Sequence, residues 1–193
     1  SDPRFCRYLD MPFQHISDPV LKKMNRKITR KEIEANMARV RRQLPDVAWR
    51  TTFIVGFPTE TDQDFEELVD FVSEGHFQHL GIFLYSDEDN IRSSKFGDPI
   101  PLSLKEERKN RLMEIQQKIS REHHQKMVGS LQRVLVGGFS SETDLLLEGR
   151  NQYQGPEVDG VVYINDGNAT SAGFHQVEIC LLYTSPSPRD RYI

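Results

Sequence analysis

The residues best suited to receiving a ligand lie in one stretch, Arg50 to Thr61, which reads Arg-Thr-Thr-Phe-Ile-Val-Gly-Phe-Pro-Thr-Glu-Thr. Gly56 lacks a Cβ, so a flat ligand can lie close to the backbone there; the bland alternative is an ordinary turn glycine. Metal chemistry has less support. His76-x-x-His79 falls across an expected helix end and strand start, with no third His or nearby Cys to complete a site. His123 and His124 are adjacent, so on a helix they face different directions. The two cysteines, Cys6 and Cys180, are far apart and lack metal-ligand spacing, and reduced thiols are the better reading.

Elements must position these residues. Trp49, Thr51, Phe53 and Val55 alternate with Arg50, Thr52 and Ile54, and this pattern predicts a strand buried on both faces at its end, as in a parallel sheet. Gly56 and Pro58 stop it. Thr61 then caps a helix from about Asp62 to Glu74, with Asp62 and Asp64 in the first turn and Gly75 as C-cap. In α/β folds ligands gather at the carboxyl ends of the strands. Upstream, Tyr8 to Phe13 predicts a strand, and Ser17 or Asp18 opens a short helix with Pro19 in its first turn. Thr29-Arg30-Lys31-Glu32 is a capping box for a helix whose apolar face is Ile33, Met37, Val40 and Leu44. Downstream, His79 to Tyr85 predicts a strand, and Ser86 to Leu102 a long polar loop of the functional or mobile kind. Ser103-Leu104-Lys105-Glu106 predicts a second capping box, opening a helix striped with Leu112, Ile115 and Ile119.

The pattern changes near Val128-Gly129. Short strands at Leu131–Val136, Asp144–Glu148, Gly160–Ile164 and Gln176–Ile179 predict a small β-barrel of OB or related type. The expected organisation is an α/β part over residues 1–127 and an all-β part over 128–180. Residues 181–193 form a tail without periodicity, disordered or foreign to the natural protein.

Charge is unevenly spread. Residues 1–45 carry 11 Lys/Arg and 5 Asp/Glu, a net of +6, whereas the whole chain has a net of −4. The basic segment suits an anion or is simply a solvated helix face. No apolar run is long enough to span a membrane, and no signal-peptide pattern is present at the amino end, so a cytoplasmic location is expected.

Three segments together carry a resemblance. Tyr8-Leu9-Asp10-Met11-Pro12-Phe13-Gln14-His15-Ile16-Ser17, the Arg50–Thr61 stretch, and Gly149-Arg150 followed by Pro156-Glu157-Val158-Asp159-Gly160-Val161-Val162-Tyr163-Ile164 resemble the radical S-adenosylmethionine methylthiotransferases. Lys105-Glu106-Glu107-Arg108 resembles the start of the helix that leaves their barrel. The resemblance implies the second half of a TIM-like radical barrel followed by a TRAM β-barrel, and an enzyme that converts C–H into C–SCH₃. It implies S-adenosylmethionine and two 4Fe-4S clusters as cofactors. It is closest to the branch whose substrate is an aspartate of small-subunit ribosomal protein S-twelve. Seven acids against Arg133 and Arg150 in residues 129–180 suit a basic ribosomal protein better than RNA.

By the same resemblance, Gln14 meets the ribose or amino-acid part of the cofactor. Ile54, Gly56 and Phe57 pack its adenine, Tyr85 closes the adenine side, and Arg50 reaches its carboxylate with a bidentate fork or else pairs with an acid. Thr59 stands where the family commonly has glycine, so the turn is expected to differ there. The family's Cys-x3-Cys-x2-Cys loop is absent, so this chain is expected to be the carboxyl part of a longer enzyme, a monomer that by itself binds no cluster. Two alternatives remain: a transfer-RNA methylthiotransferase, favoured by Lys22 to Arg42, and a non-catalytic ribosome-docking module.

Overall fold

The computed structural model describes residues 5–87, 96–167 and 173–182. Part of the predicted Ser86–Leu102 loop and nearly all of the predicted 181–193 tail lie outside the described residues. The chain divides into two compact units, Leu9–Arg121 and a second made of Glu122 onward with the chain up to Tyr8.

The first unit is built on three strands, β1 (Tyr8–Asp10), β2 (Ala48–Val55) and β3 (His79–Leu84), in the order β1-β2-β3. β2 and β3 are parallel, in register from Arg50 opposite His79 to Val55 opposite Leu84. Gln14 bridges Phe53 in the parallel sense. Four helices complete the unit: α1 (Asp18–Lys23), α2 (Arg30–Gln43), α3 (Asp62–Ser73) and α4 (Leu102–Gln125). Both expected starts of α2 and α3 form as capping boxes, Thr29 with Glu32 and Thr61 with Asp64. The capping box expected at Ser103 does not form. α4 begins at Leu102, its first turn closed by the N–H groups of Leu104 and Lys105 on the Pro101 carbonyl, so Ser103 already lies inside the helix.

Trp49, Phe53 and Val55 enter a core with Phe13, Ile33, Leu68, Phe71, Phe77 and Leu112. The rings of Phe53, Phe71 and Phe77 meet at centroid separations of 5.7–6.4 Å, the tilted contacts that aromatic quadrupoles favour. The opposite face of the sheet is less covered than predicted. Thr52 and Ile54 are half-buried, and Phe83 on the same face is 53% exposed. The residues of β2 that enter the main core come from one face, so the apolar run of β2 is not buried equally on both.

In the second unit β4 (Leu131–Phe139), β5 (Leu147–Arg150), β6 (Val162–Ile164) and β7 (Gly173–Glu178) form a four-stranded antiparallel sheet in the order β6-β5-β4-β7. Val134, Val136 and Ile164 are its buried centre. β5 starts three residues later than its sequence suggests. Thr143 accepts the Leu145 N–H on its hydroxyl, and Ser140 donates its N–H to the Leu146 carbonyl, so residues 144–146 are used in the turn.

Candidate functional site

Parallel strands bring their carboxyl ends to one edge, and the segments leaving them converge there. Gln14 follows β1, Gly56 and Phe57 follow β2, and Tyr85 follows β3. The Gln14 N–H donates to the Thr52 carbonyl at 2.8 Å, and its own carbonyl accepts from Ile54 at 2.8 Å. The Tyr85 N–H donates to the Val55 carbonyl at 2.9 Å, carrying the β2–β3 pairing one residue further. Gln14 holds this position at φ +72°, a left-handed conformation uncommon outside glycine and most often maintained at functional positions.

Ile54, Phe57 and Tyr85 pack with Val20, Met24 and Phe96 in an apolar cluster separate from the main core. Phe57 meets Tyr85 at 5.2 Å and Phe96 at 6.1 Å, edge to face. Tyr85 is 7% exposed and its hydroxyl has no hydrogen-bond partner among the described residues. A buried unpaired hydroxyl costs about 1–3 kcal/mol, so this oxygen has capacity to spare for a ligand.

Five of the six predicted residues therefore meet at one edge. Arg50 does not join them. It lies four residues before Ile54, about 13 Å along the strand, and donates to the Asp10 carboxylate at 3.0 Å. Gly81 on β3 leaves room for it, since a Cβ there would stand 3.3 Å from the guanidinium. Gly56 is at the edge, at φ +74°, but the space beside it is filled: a Cβ on it would lie 2.3 Å from Cγ of Lys105. Thr59 does not adopt positive φ, because the turn takes its left-handed residue at Gly56.

Beneath the edge lies a buried charged network that the apolar pattern did not reveal. Glu60 accepts the Gly56 N–H at 2.9 Å and the Phe57 N–H at 3.4 Å on one carboxylate oxygen. Its other oxygen accepts from Arg108 at 2.6 Å. Arg108 also donates to Asp62 at 2.6 Å. Lys105, 2% exposed, donates to the Tyr85 carbonyl at 2.8 Å and to Asp98 at 2.5 and 2.6 Å. His15 is fully buried. Its Nδ1 accepts the Ser17 N–H, and its Nε2 stands 3.6 Å from Glu60. Ser17 in turn donates its hydroxyl to Asp64 rather than capping α1. Burial pulls the Asp64 carboxyl upward, but hydrogen bonds from Ser17 and Thr61 outweigh it and hold it below the ordinary carboxylate value. The signal for Lys105 and Arg108 was present: stepping the α4 stripe back from Leu112 by helical spacing lands on both.

His76 of the weak metal motif is engaged by Arg41 at Nδ1 and Glu74 at Nε2. No group of three His, Cys, Asp or Glu that could hold a metal ion occurs among the described residues. Cys6 and Cys180 are free and exposed. No helix among the described residues is long and apolar enough to cross a membrane.

Comparison with known proteins assigns both units. Residues 3–72 match the radical SAM superfamily, and residues 128–183 match the TRAM domain. The chain is similar to the protein named ribosomal protein uS12 methylthiotransferase RimO in several bacteria. It is 49% identical to that of Bdellovibrio bacteriovorus over 176 residues, which are 91% of this chain and 38% of the relative. It is 45% identical to that of Geobacter sulfurreducens over 169 residues, 88% of this chain and 38% of the relative. For Desulfotalea psychrophila the identity is 47% over 171 residues, 89% and 39% of the two lengths. The chain thus spans less than half the length of the curated relatives it matches. It joins a radical SAM segment to a TRAM domain, and is homologous over part of their length to the RimO methylthiotransferases.

Proposed function

We propose that this chain supplies one side of the S-adenosylmethionine pocket, and the TRAM domain, of an enzyme that methylthiolates an aspartate of ribosomal protein uS12. The observation that carries the reading is the meeting of Gln14, Ile54, Phe57 and Tyr85 at one strand edge, in a chain 45–49% identical to RimO proteins. These residues fit the cofactor. Ile54 and Phe57 offer an apolar wall for adenine, the unpaired Tyr85 hydroxyl offers a polar partner at its rim, and Gln14 offers an amide to the ribose or amino-acid part. Arg50 is a carboxylate-binding group now held by Asp10. Gly56 serves the pocket indirectly, by admitting the Lys105 stem that ties α4 to the Tyr85 carbonyl.

Bound there, S-adenosylmethionine supplies the methyl and 5′-deoxyadenosyl groups of the reaction class. This chain's residues bind and orient it. The iron–sulfur clusters do not fit this chain, since each requires several thiolates and only two cysteines exist here, so their ligands belong to another part of the enzyme. The net change at the substrate is replacement of an aspartate β-C–H by C–SCH₃.

The acidic second unit is the proposed contact for basic uS12. Glu157 is exposed, at φ +64°, whereas Asp159 accepts the Gly155 N–H at 2.8 Å and shapes the turn. Glu157 is therefore the cleaner residue to neutralise.

Calorimetric titration with S-adenosylmethionine tests the pocket. Tyr85→Phe and Gln14→Gly, the latter compatible with positive φ, are each expected to weaken binding about 2- to 13-fold, one neutral hydrogen bond's worth. Unchanged affinity in both variants overturns the assignment.

A further inference from the structure

Residues 22 to 31 contain six Lys/Arg and no Asp/Glu. Arg30 is bonded to Glu34 at 2.8 Å. Lys22, Lys23, Arg26, Lys27 and Lys31 are exposed and form no ion pair among the described residues. They are not on a slack loop. α1 ends in a left-handed cap: Asn25 sits at φ +60°, Arg26 N–H donates to the Leu21 carbonyl at 2.9 Å, and Asn25 N–H to the Lys22 carbonyl at 3.1 Å. Val20 and Leu21 anchor the turn in full burial. Val20 and Met24 belong to the Phe57–Tyr85–Phe96 cluster, and the Lys23 ammonium lies 5.6 Å from the Phe96 ring centre. Lys22 and Lys23 thus lie on the segment that packs onto the edge carrying the proposed cofactor pocket, and Arg26, Lys27 and Lys31 follow it in the chain.

Unpaired like charges held on a rigid turn repel one another, and an arriving polyanion relieves that repulsion. We infer that the α1–α2 turn contacts the phosphodiester backbone of RNA lying beside the protein substrate. The inference rests on the uS12 reading. A ribosomal protein is basic, so this turn repels it, whereas the RNA around a ribosomal protein is attracted. The same edge then receives its substrate in an RNA setting, with the contact independent of base sequence because lysines and arginines on an open turn read phosphate.

The test is fluorescence anisotropy of the full chain with a generic RNA hairpin across a salt series. Each phosphate contact adds about 0.7–0.9 to the slope of log affinity against log salt. Lys22→Gln, Arg26→Gln and Lys27→Gln together are expected to lower that slope by about 2–3 and to cut low-salt affinity at least about tenfold. Circular dichroism of this triple variant, whose changes are all at exposed positions, is expected to match the parent chain. An unchanged slope overturns the inference. So does equal affinity for polyglutamate or for phosphatidylglycerol vesicles, which marks mere anion attraction, and so does a tenfold preference for transfer RNA over the hairpin, which marks a specific substrate. Binding of isolated uS12 is measured alongside. For the parent chain, absence of uS12 binding while RNA binds overturns the substrate reading; uS12 binding without RNA binding overturns only the RNA contact.

Discussion

Single residues at the strand edge carry more than one duty. Gly56 combines φ +74° with a side already filled by Lys105. Gly56→Ala therefore adds strain and a clash together, and is expected to destabilise the first unit by about 2–4 kcal/mol in urea unfolding. Asp64 makes a separate, pH-dependent contribution. Its folded value lies below the ordinary one because Ser17 and Thr61 donate to the charged form against the pull of burial. A depressed carboxyl stabilises fully above its unfolded value, near 4, and loses that contribution as pH falls through the folded value. Asp64→Asn is expected to flatten this acid limb in thermal melts at descending pH, leaving other carboxylates to set what remains. Both duties were half readable. The glycine and the acidic first turn stand out in sequence, but their partners Lys105 and Ser17 lie 49 positions downstream and 47 upstream.

Among the elements, α4 decides the shape of the edge. Its buried stripe reads Lys105, Arg108, Leu112, Gln116, so the half of the helix nearest the edge is charged and the next part apolar. Arg108 neutralises Glu60, whose carboxylate in turn holds the N–H groups of the Gly56–Phe57 turn. Removing one partner leaves a buried charge and costs about 3–5 kcal/mol, while replacing both by neutral groups of similar size costs much less. Arg108→Met should therefore destabilise strongly, and Glu60→Gln added to it should recover part of the loss. Strict additivity of the two changes in chemical denaturation would show that the pair is not coupled. Where a sequence reading placed a capping box at Ser103, the chain instead begins α4 at Leu102 on Pro101, which sets the phase at which Lys105 and Arg108 point inward.

For the whole molecule, composition sets a firm limit on chemistry. Two cysteines cannot ligate clusters that each need several thiolates. Anaerobic reconstitution of this chain with iron and sulfide is expected to give no stable 4Fe-4S absorption. A stoichiometric, folded cluster would contradict the view that its ligands lie outside this chain. Charge acts on the same scale: the basic first 45 residues and the acidic TRAM segment suit anionic and cationic partners respectively, a division that a net charge of −4 conceals.

The sequence by itself determined the order of elements, the helix starts at Thr29 and Thr61, and the change from α/β to β near residue 128. These follow from periodicity, capping and turn chemistry, which act between near neighbours. Tertiary structure decided which charges are buried together. Glu60 meets Arg108 across 48 positions, Lys105 fills the space beside Gly56, and Arg50 is drawn to Asp10 instead of the edge. A buried ion pair has no local signature, because its stability depends on a partner brought from elsewhere in the chain and on the exclusion of water around both.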